Sequence, residues 1–161
     1  MLKKIILVLF FVPLLSPAQN ISHLTLNDIN GESFSINENL DHDATVILFW
    51  ATWCKPCKLE FPKVQKVLDR NEDIDIQVLT ISQDSPRSLV KVKAFARSHK
   101  YDFTYLIDPD KEVGESLLVS VVPHSFLVNK KGEIVYSHVG YREGDEEVLE
   151  KEILKLLKTK E

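Results

Sequence analysis

Apolar positions along the chain follow two periods, and each period predicts an element. Residues 24–36 alternate in short stretches around Asn30-Gly31. That dipeptide tolerates positive φ and suits a tight turn, so a β-hairpin is expected ahead of the main fold. Residues 45–50 (TVILFW) form an unbroken apolar run rich in β-branched and aromatic side chains, the signature of a strand covered on both faces. Behind it, Phe61, Val64 and Leu68 recur at i, i+3 and i+7. They predict a helix that ends near Arg70, with Pro62 expected to kink it.

Residues 74–81 alternate and predict a second strand. Ser85 and Pro86 offer an N-cap and a first-turn proline to a helix carrying Leu89, Val92 and Phe95 and ending near His99. Residues 103–107 predict a third strand closed by Asp108-Pro109, and residues 111–118 a short helix. Residues 124–128 and 133–138 predict two strands joined by a hairpin-length turn, in which Gly132 supplies positive φ. Asp145 is expected to cap a last helix with Leu149, Ile153, Leu156 and Leu157 on its buried face; its acids lie early and its lysines late, as the helix dipole favours. The order β, α, β, α, β, α, β, β, α predicts an α/β sheet of mixed direction with helices on both faces.

The first 18 residues, MLKKIILVLFFVPLLSPA, read differently. Two lysines precede an apolar run, and Ser16 and Ala18 stand at positions suited to cleavage before Gln19, which predicts a secretory signal over residues 1–18. The run of 11 residues contains Pro13 and falls short of the roughly 20 that a spanning helix needs. Removal is therefore expected, a retained N-terminal anchor being the alternative, and no cysteine follows the run for lipid attachment. Residues 19–161 are left as one domain, expected in the periplasm or cell envelope and soluble after cleavage.

Composition sharpens this reading. At 44% hydrophobic residues, with seven Pro and five Gly in 161, the chain has enough apolar material for a core and too little Pro and Gly for a disordered one. Net charge is −4, and −6 once the two lysines of residues 1–18 are removed; this gives no electrostatic footprint for nucleic acid. The two cysteines, Cys54 and Cys57, are too few for a four-cysteine zinc site.

Cys54 stands where a buried strand hands over to a helix, which puts its sulfur near unpaired N–H groups and the positive end of the helix dipole. Lys55 adds a positive charge beside it; cysteines so placed have pKa values of roughly 3.5–7.5 instead of about 8.5. Cys57, one turn later, is close enough to form a disulfide with Cys54 and is expected to face inward, leaving Cys54 exposed to attack. A bridge closing so short a loop constrains the unfolded chain little, so a redox role is favoured over a structural one. No cofactor is expected beyond the redox-active Cys54–Cys57 disulfide itself.

These residues resemble the thioredoxin superfamily, and within it the exported thioredoxin-like proteins of the TlpA/ResA type. The resemblance spans roughly residues 24–157. FWATWCKPCKLEFP, residues 49–62, is similar to the family's strand, active-site motif and kinked first helix. Val122-Pro123 resembles its cis-proline landmark, which faces the cysteines and offers backbone groups to a bound peptide. The resemblance implies a thioredoxin fold with an N-terminal β-hairpin extension, acting as a monomeric thiol–disulfide oxidoreductase that reduces protein disulfides. By the same resemblance, apocytochrome c before haem attachment is a plausible client and a membrane thiol-reducing protein the electron donor.

Trp53 is expected to wall the site, and Lys55 and Pro56 to modulate it from between the cysteines. Two positions depart from cytosolic thioredoxins. Leu48 stands where their buried strand Asp lies, and Glu60 matches the glutamate near the active site of ResA-like proteins, so proton handling is expected to fall to Glu60. His124 follows the proline where Thr is common, which puts a titratable ring in the expected substrate-binding set with Trp53, Val122 and Pro123.

Two other classes fit parts of the pattern. A copper-delivery protein would use Cys54, Cys57 and a histidine such as His124, but proteins of that type space their cysteines by three residues. A non-catalytic interaction domain would have no need of an intact WCKPC and Pro123. No cysteine ends a PxxxTxxC pattern, which argues against a peroxidase. The plainer roles are a solvated helix acid for Glu60, a satisfied ring for His124, core packing for Trp50, Tyr101, Phe103 and Tyr105, and structural positions for His23, His42, His99 and His138.

Overall fold

The computed structural model describes residues 19–158; the expected signal segment lies outside the described residues. The hairpin forms as β1 (Thr25–Asp28) and β2 (Ser33–Ser35), paired antiparallel. Gly31 takes φ +95° at its turn, a conformation that costs glycine little. The hairpin does more than precede the fold. β1 also pairs antiparallel with β5 (Thr104–Ile107), so it extends the main sheet at one edge.

The remaining strands are β3 (Ala44–Trp50), β4 (Ile76–Ser82), β6 (His124–Val128) and β7 (Ile134–Val139). Together they make one seven-stranded sheet in the order β2-β1-β5-β4-β3-β6-β7. β3, β4 and β5 run parallel, β6 returns antiparallel beside β3, and β7 turns back antiparallel to β6. β4 begins at Ile76, later than its alternating pattern suggests, because the Ile74 N–H closes a turn onto the Asn71 carbonyl.

β3 is buried along its whole length, and its side chains divide between two cores as a pleated strand requires. Val46, Leu48 and Trp50 pack beneath α1 (Lys55–Arg70), α2 (Leu89–Ser98) and α4 (Asp145–Lys158). Ile47 and Phe49 pack on the opposite face against Ile21, Ile36, Leu40, Leu117 and Val119. The helices are thus shared unevenly. All three long ones cover one face, and the N-terminal segment with the short α3 (Glu112–Ser116) and the chain just after it cover the other.

The deep stripe of α1 is Cys57, Glu60, Phe61, Val64 and Val67. Val67, not Leu68, is the fully buried residue of its fourth turn. The helix continues through Pro62. Phe61 and Trp50 meet at 5.1 Å, and Phe95 and Phe103 close around them. Losing such a ring, as in Phe61→Ala, costs about 3–5 kcal/mol.

Two caps differ from the pattern. Ser85 makes no side-chain cap bond, and Pro86–Ser88 form a 3-10 turn before α2 begins at Leu89. Asp145 is the first residue inside α4, and its carboxylate accepts instead from the Arg142 N–H at 2.6 Å and from the His138 ring at 3.0 Å.

Candidate active site

β3 ends at Trp50 and α1 starts at Lys55, so an interior strand of the sheet delivers the cysteine motif at its C-terminal end. Cys54 is the N-cap of α1, and its sulfur accepts a hydrogen bond from the Cys57 N–H at 3.2 Å. That is the interaction a thiolate needs: an orphan helix N–H aimed at the sulfur. Cys54 and Cys57 are joined as a disulfide, with Cα atoms 5.4 Å apart. Cys57 is fully buried. Cys54 is only 3% exposed, less open than expected, because in the disulfide its sulfur turns inward toward Cys57. Lys55 and Pro56 are solvent-facing between them, and Trp53 projects beside the motif with 71% of its surface exposed.

The loop carrying Thr52 is pinned from the chain just beyond β4, a contact with no sequence signal. The buried Asp84 carboxylate accepts from the Thr52 N–H at 2.7 Å, the Thr52 hydroxyl at 2.6 Å and the Ser82 hydroxyl at 2.9 Å. Charge-assisted bonds of this kind are the strong ones. They fix the backbone two residues ahead of Cys54.

Glu60 lies one turn beyond Cys57 on the same buried stripe and is 4% exposed. It is no solvated helix acid. Its Oε1 accepts a 2.6 Å hydrogen bond from the Ser125 hydroxyl, while its buried Oε2 has no hydrogen-bond partner among the described residues. Burial pushes its pKa up to about 7, the Ser125 bond works against that rise, and the charges of Asp145 and Glu146 add to it. Ser125 sits directly opposite Leu48 in the β3–β6 ladder. The carboxylate that the strand lacks at Leu48 is therefore supplied from the helix side of the same core.

A small cavity of about 10 Å³ beside Glu60 is also lined by Ser125, Tyr136, His138, Asp145 and Glu146. His138 pairs with Ser125 across β6 and β7, which brings to the site a histidine that sequence spacing leaves among the structural positions. Burial raises the pKa of Glu146. Hydrogen bonds from backbone N–H groups and from the Tyr141 hydroxyl outweigh that effect and hold it below the usual carboxylate value.

Val122-Pro123 is a cis peptide. With Pro56, Gly140, Tyr141 and Arg142 these two residues line an open groove of about 530 Å³ beside the motif, and His138 and Asp145 reach it as well. The Pro123 carbonyl is taken by the Gly140 N–H at 2.8 Å. His124 is not in this groove lining. It pairs with Phe49, stacks on Phe126 at 4.3 Å and exchanges a 2.9 Å hydrogen bond with Ser137, on the face of the sheet away from α1. Burial and then His138 lower its pKa. Among the described residues no three His, Cys, Asp or Glu side chains come together as a metal ligand set.

A buried strand feeding a helix-capping cysteine, a second cysteine beneath it and a cis-proline alongside define a thioredoxin-like thiol–disulfide oxidoreductase. The sequence pattern of the AhpC/TSA family matches residues 17–137, and the chain belongs to that family. It is 30% identical over 116 residues to the sporulation thiol-disulfide oxidoreductase A of Bacillus subtilis, covering 71% of this chain and 69% of that one. It is 27% identical over 136 residues to the thiol-disulfide oxidoreductase ResA of Halalkalibacterium halodurans, covering 84% and 74%. Among solved structures, a thioredoxin-like protein from Porphyromonas gingivalis superposes with a TM-score of 0.72 at 32% identity, covering 84% of this chain and 90% of that one.

Proposed function

We propose that the protein works outside the cytoplasm as a reductase of protein disulfides, with Cys54 as nucleophile, Cys57 as resolving thiol and Glu60 as proton acceptor. The observation that carries this reading is the placement of all three on one helix. Cys54 sits at its N-cap, and Cys57 and Glu60 lie on its buried stripe. In the reduced protein the Cys54 thiolate attacks a client disulfide, forming a mixed disulfide and releasing one client sulfur as a thiolate that takes a proton from water. Cys57 then gives its proton to Glu60 and attacks the Cys54 sulfur. That bond forms as the Cys54–client bond breaks, so two electrons pass to the client and the protein is left as the disulfide. A carboxyl group with a pKa of about 7 is matched to accepting and returning that proton near neutral pH.

The groove at Val122 and Pro123 is where an extended client segment would lie, adding main-chain bonds beside the motif. Trp53 offers an exposed apolar wall to the same client. Apocytochrome c is the proposed client and a membrane thiol-reducing protein the proposed electron donor; neither needs a bound cofactor here. Export over residues 1–18 remains part of the proposal, and no helix among the described residues is long and apolar enough to cross a membrane.

Trapping tests the division of labour. Cys57→Ala should accumulate mixed disulfides at Cys54, and Cys54→Ala few, because Cys57 is fully buried. Proteins recovered from the envelope fraction on non-reducing gels identify the clients. Adducts bearing C-x-x-C-H support the cytochrome assignment, a broad set favours a general reductase, and an absence of adducts with Cys57→Ala would overturn the mechanism.

A further inference from the structure

The Glu60 cavity and the client groove share two side chains. His138 and Asp145, joined by a 3.0 Å contact from the ring Nε2 to the carboxylate Oδ2, line both. On the inner side, Glu60 turns an unpartnered, buried Oε2 toward a core whose small cavity has the volume one water requires, about 10 Å³. On the outer side both residues are partly open to solvent. Two neighbouring polar groups are already engaged. Ser125 is committed to Oε1, and Glu146 is held by Tyr141, the Gly144 N–H and Lys63.

We propose that His138, held by Asp145, is a positioning residue that relays protons between buried Glu60 and solvent at the client groove, through one water in the shared cavity. The inference rests on Glu60 being the acceptor of the Cys57 proton. Once Cys57 has given up its proton, and before it attacks Cys54, Glu60 holds that proton as a neutral carboxyl group, and Cys57 stays a thiolate only if the proton moves on. The carboxyl O–H gives it to the water, which passes one of its own protons to the His138 imidazole. The resulting imidazolium, paired with the Asp145 carboxylate, loses its proton to solvent, and Glu60 is again a carboxylate. The titratable and charged groups around this path are Lys63 from α1, His124 from β6, Tyr136 and His138 from β7, Tyr141 and Glu143 from the loop between β7 and α4, and Asp145 and Glu146 from α4.

The relay has a kinetic signature that a packing role lacks. Reduced protein reacted with 5,5′-dithiobis(2-nitrobenzoate) releases one thionitrobenzoate when Cys54 attacks and a second when Cys57 resolves the mixed disulfide. In dilute buffer, His138→Gln should leave the first release within about twofold and slow the second about tenfold, within the reach of acid–base effects. Adding imidazole or phosphate should restore the second release by carrying the proton in place of the ring. In a Glu60→Gln background, His138→Gln should add no further slowing, because the group it serves is gone. Slowing that persists in that background, or that no buffer relieves, would assign His138 a structural role and overturn the relay. Glu60→Gln slowing the second release while His138→Gln does not would remove the relay and keep Glu60. Glu60→Gln leaving it unchanged would remove the reading of Glu60 itself, and the relay with it.

Discussion

Ser125 donates a 2.6 Å hydrogen bond to Glu60 from the strand position directly opposite Leu48. This one contact joins the active-site helix to β6 beneath the cysteines, and it is the force that opposes the burial-driven rise of the Glu60 pKa.

The raised pKa of Glu60 sets a pH dependence of stability. Between its ordinary value of 4.5 and about 7 the folded state holds a proton that the unfolded chain has released, so stability falls as pH rises through this window and levels off above it. The loss is on the order of 3 kcal/mol. Urea midpoints of the oxidised protein should decline from pH 4.5 to 7, and Glu60→Gln should abolish that segment of the curve. Ser125→Ala removes the opposing bond, so its decline should extend to higher pH. A wild-type curve that runs parallel to that of Glu60→Gln across this window would mean that Glu60 is ionised throughout; the comparison cancels the opposite slope that the lowered pKa of His124 adds.

Cys54 reactivity checks the N-cap geometry. In reduced protein, alkylation of Cys54 by iodoacetamide should titrate with a midpoint below the free-cysteine value of about 8.5, because the Cys57 N–H and the helix terminus stabilise the thiolate. A midpoint at or above that value would show that burial of the sulfur outweighs the helix terminus.

Asp84 is predicted to hold the motif in place without taking part in the chemistry. Asp84→Ala leaves the Thr52 N–H and hydroxyl and the Ser82 hydroxyl without their acceptor. The expected cost is on the order of 3 kcal/mol by chemical denaturation, with slower disulfide exchange and an unchanged pH midpoint. A loss below about 0.5 kcal/mol, the scale of ordinary surface changes, would mean that the loop is held by other contacts.

The amino-acid sequence by itself determined the elements and the redox pair. TVILFW needs cover on both faces and so becomes a central strand, and Cys54 and Cys57 at the head of a helix are brought together by the helical turn alone. Gly31 and Gly132 take positive φ where the turns demanded it. These are local matters of period, turn chemistry and spacing. The burial of Glu60 was half legible, since it falls on the apolar stripe of α1, yet a carboxylate at such a position gives no sign of which side chain will meet it.

Tertiary structure alone decided what surrounds that carboxylate. Ser125, His138 and Asp145 lie 65, 78 and 85 residues beyond Glu60 in the chain, and strand register, not sequence spacing, puts Ser125 and His138 in one row facing it. The same register turns His124, one residue before Ser125, to the other face of the sheet and away from the cysteines. Asp84 reaches Thr52 only because β3 and β4 end side by side. Pairing between strands distant in sequence has no local signal, because alternation gives a strand two faces, and only its partners fix which face meets the site.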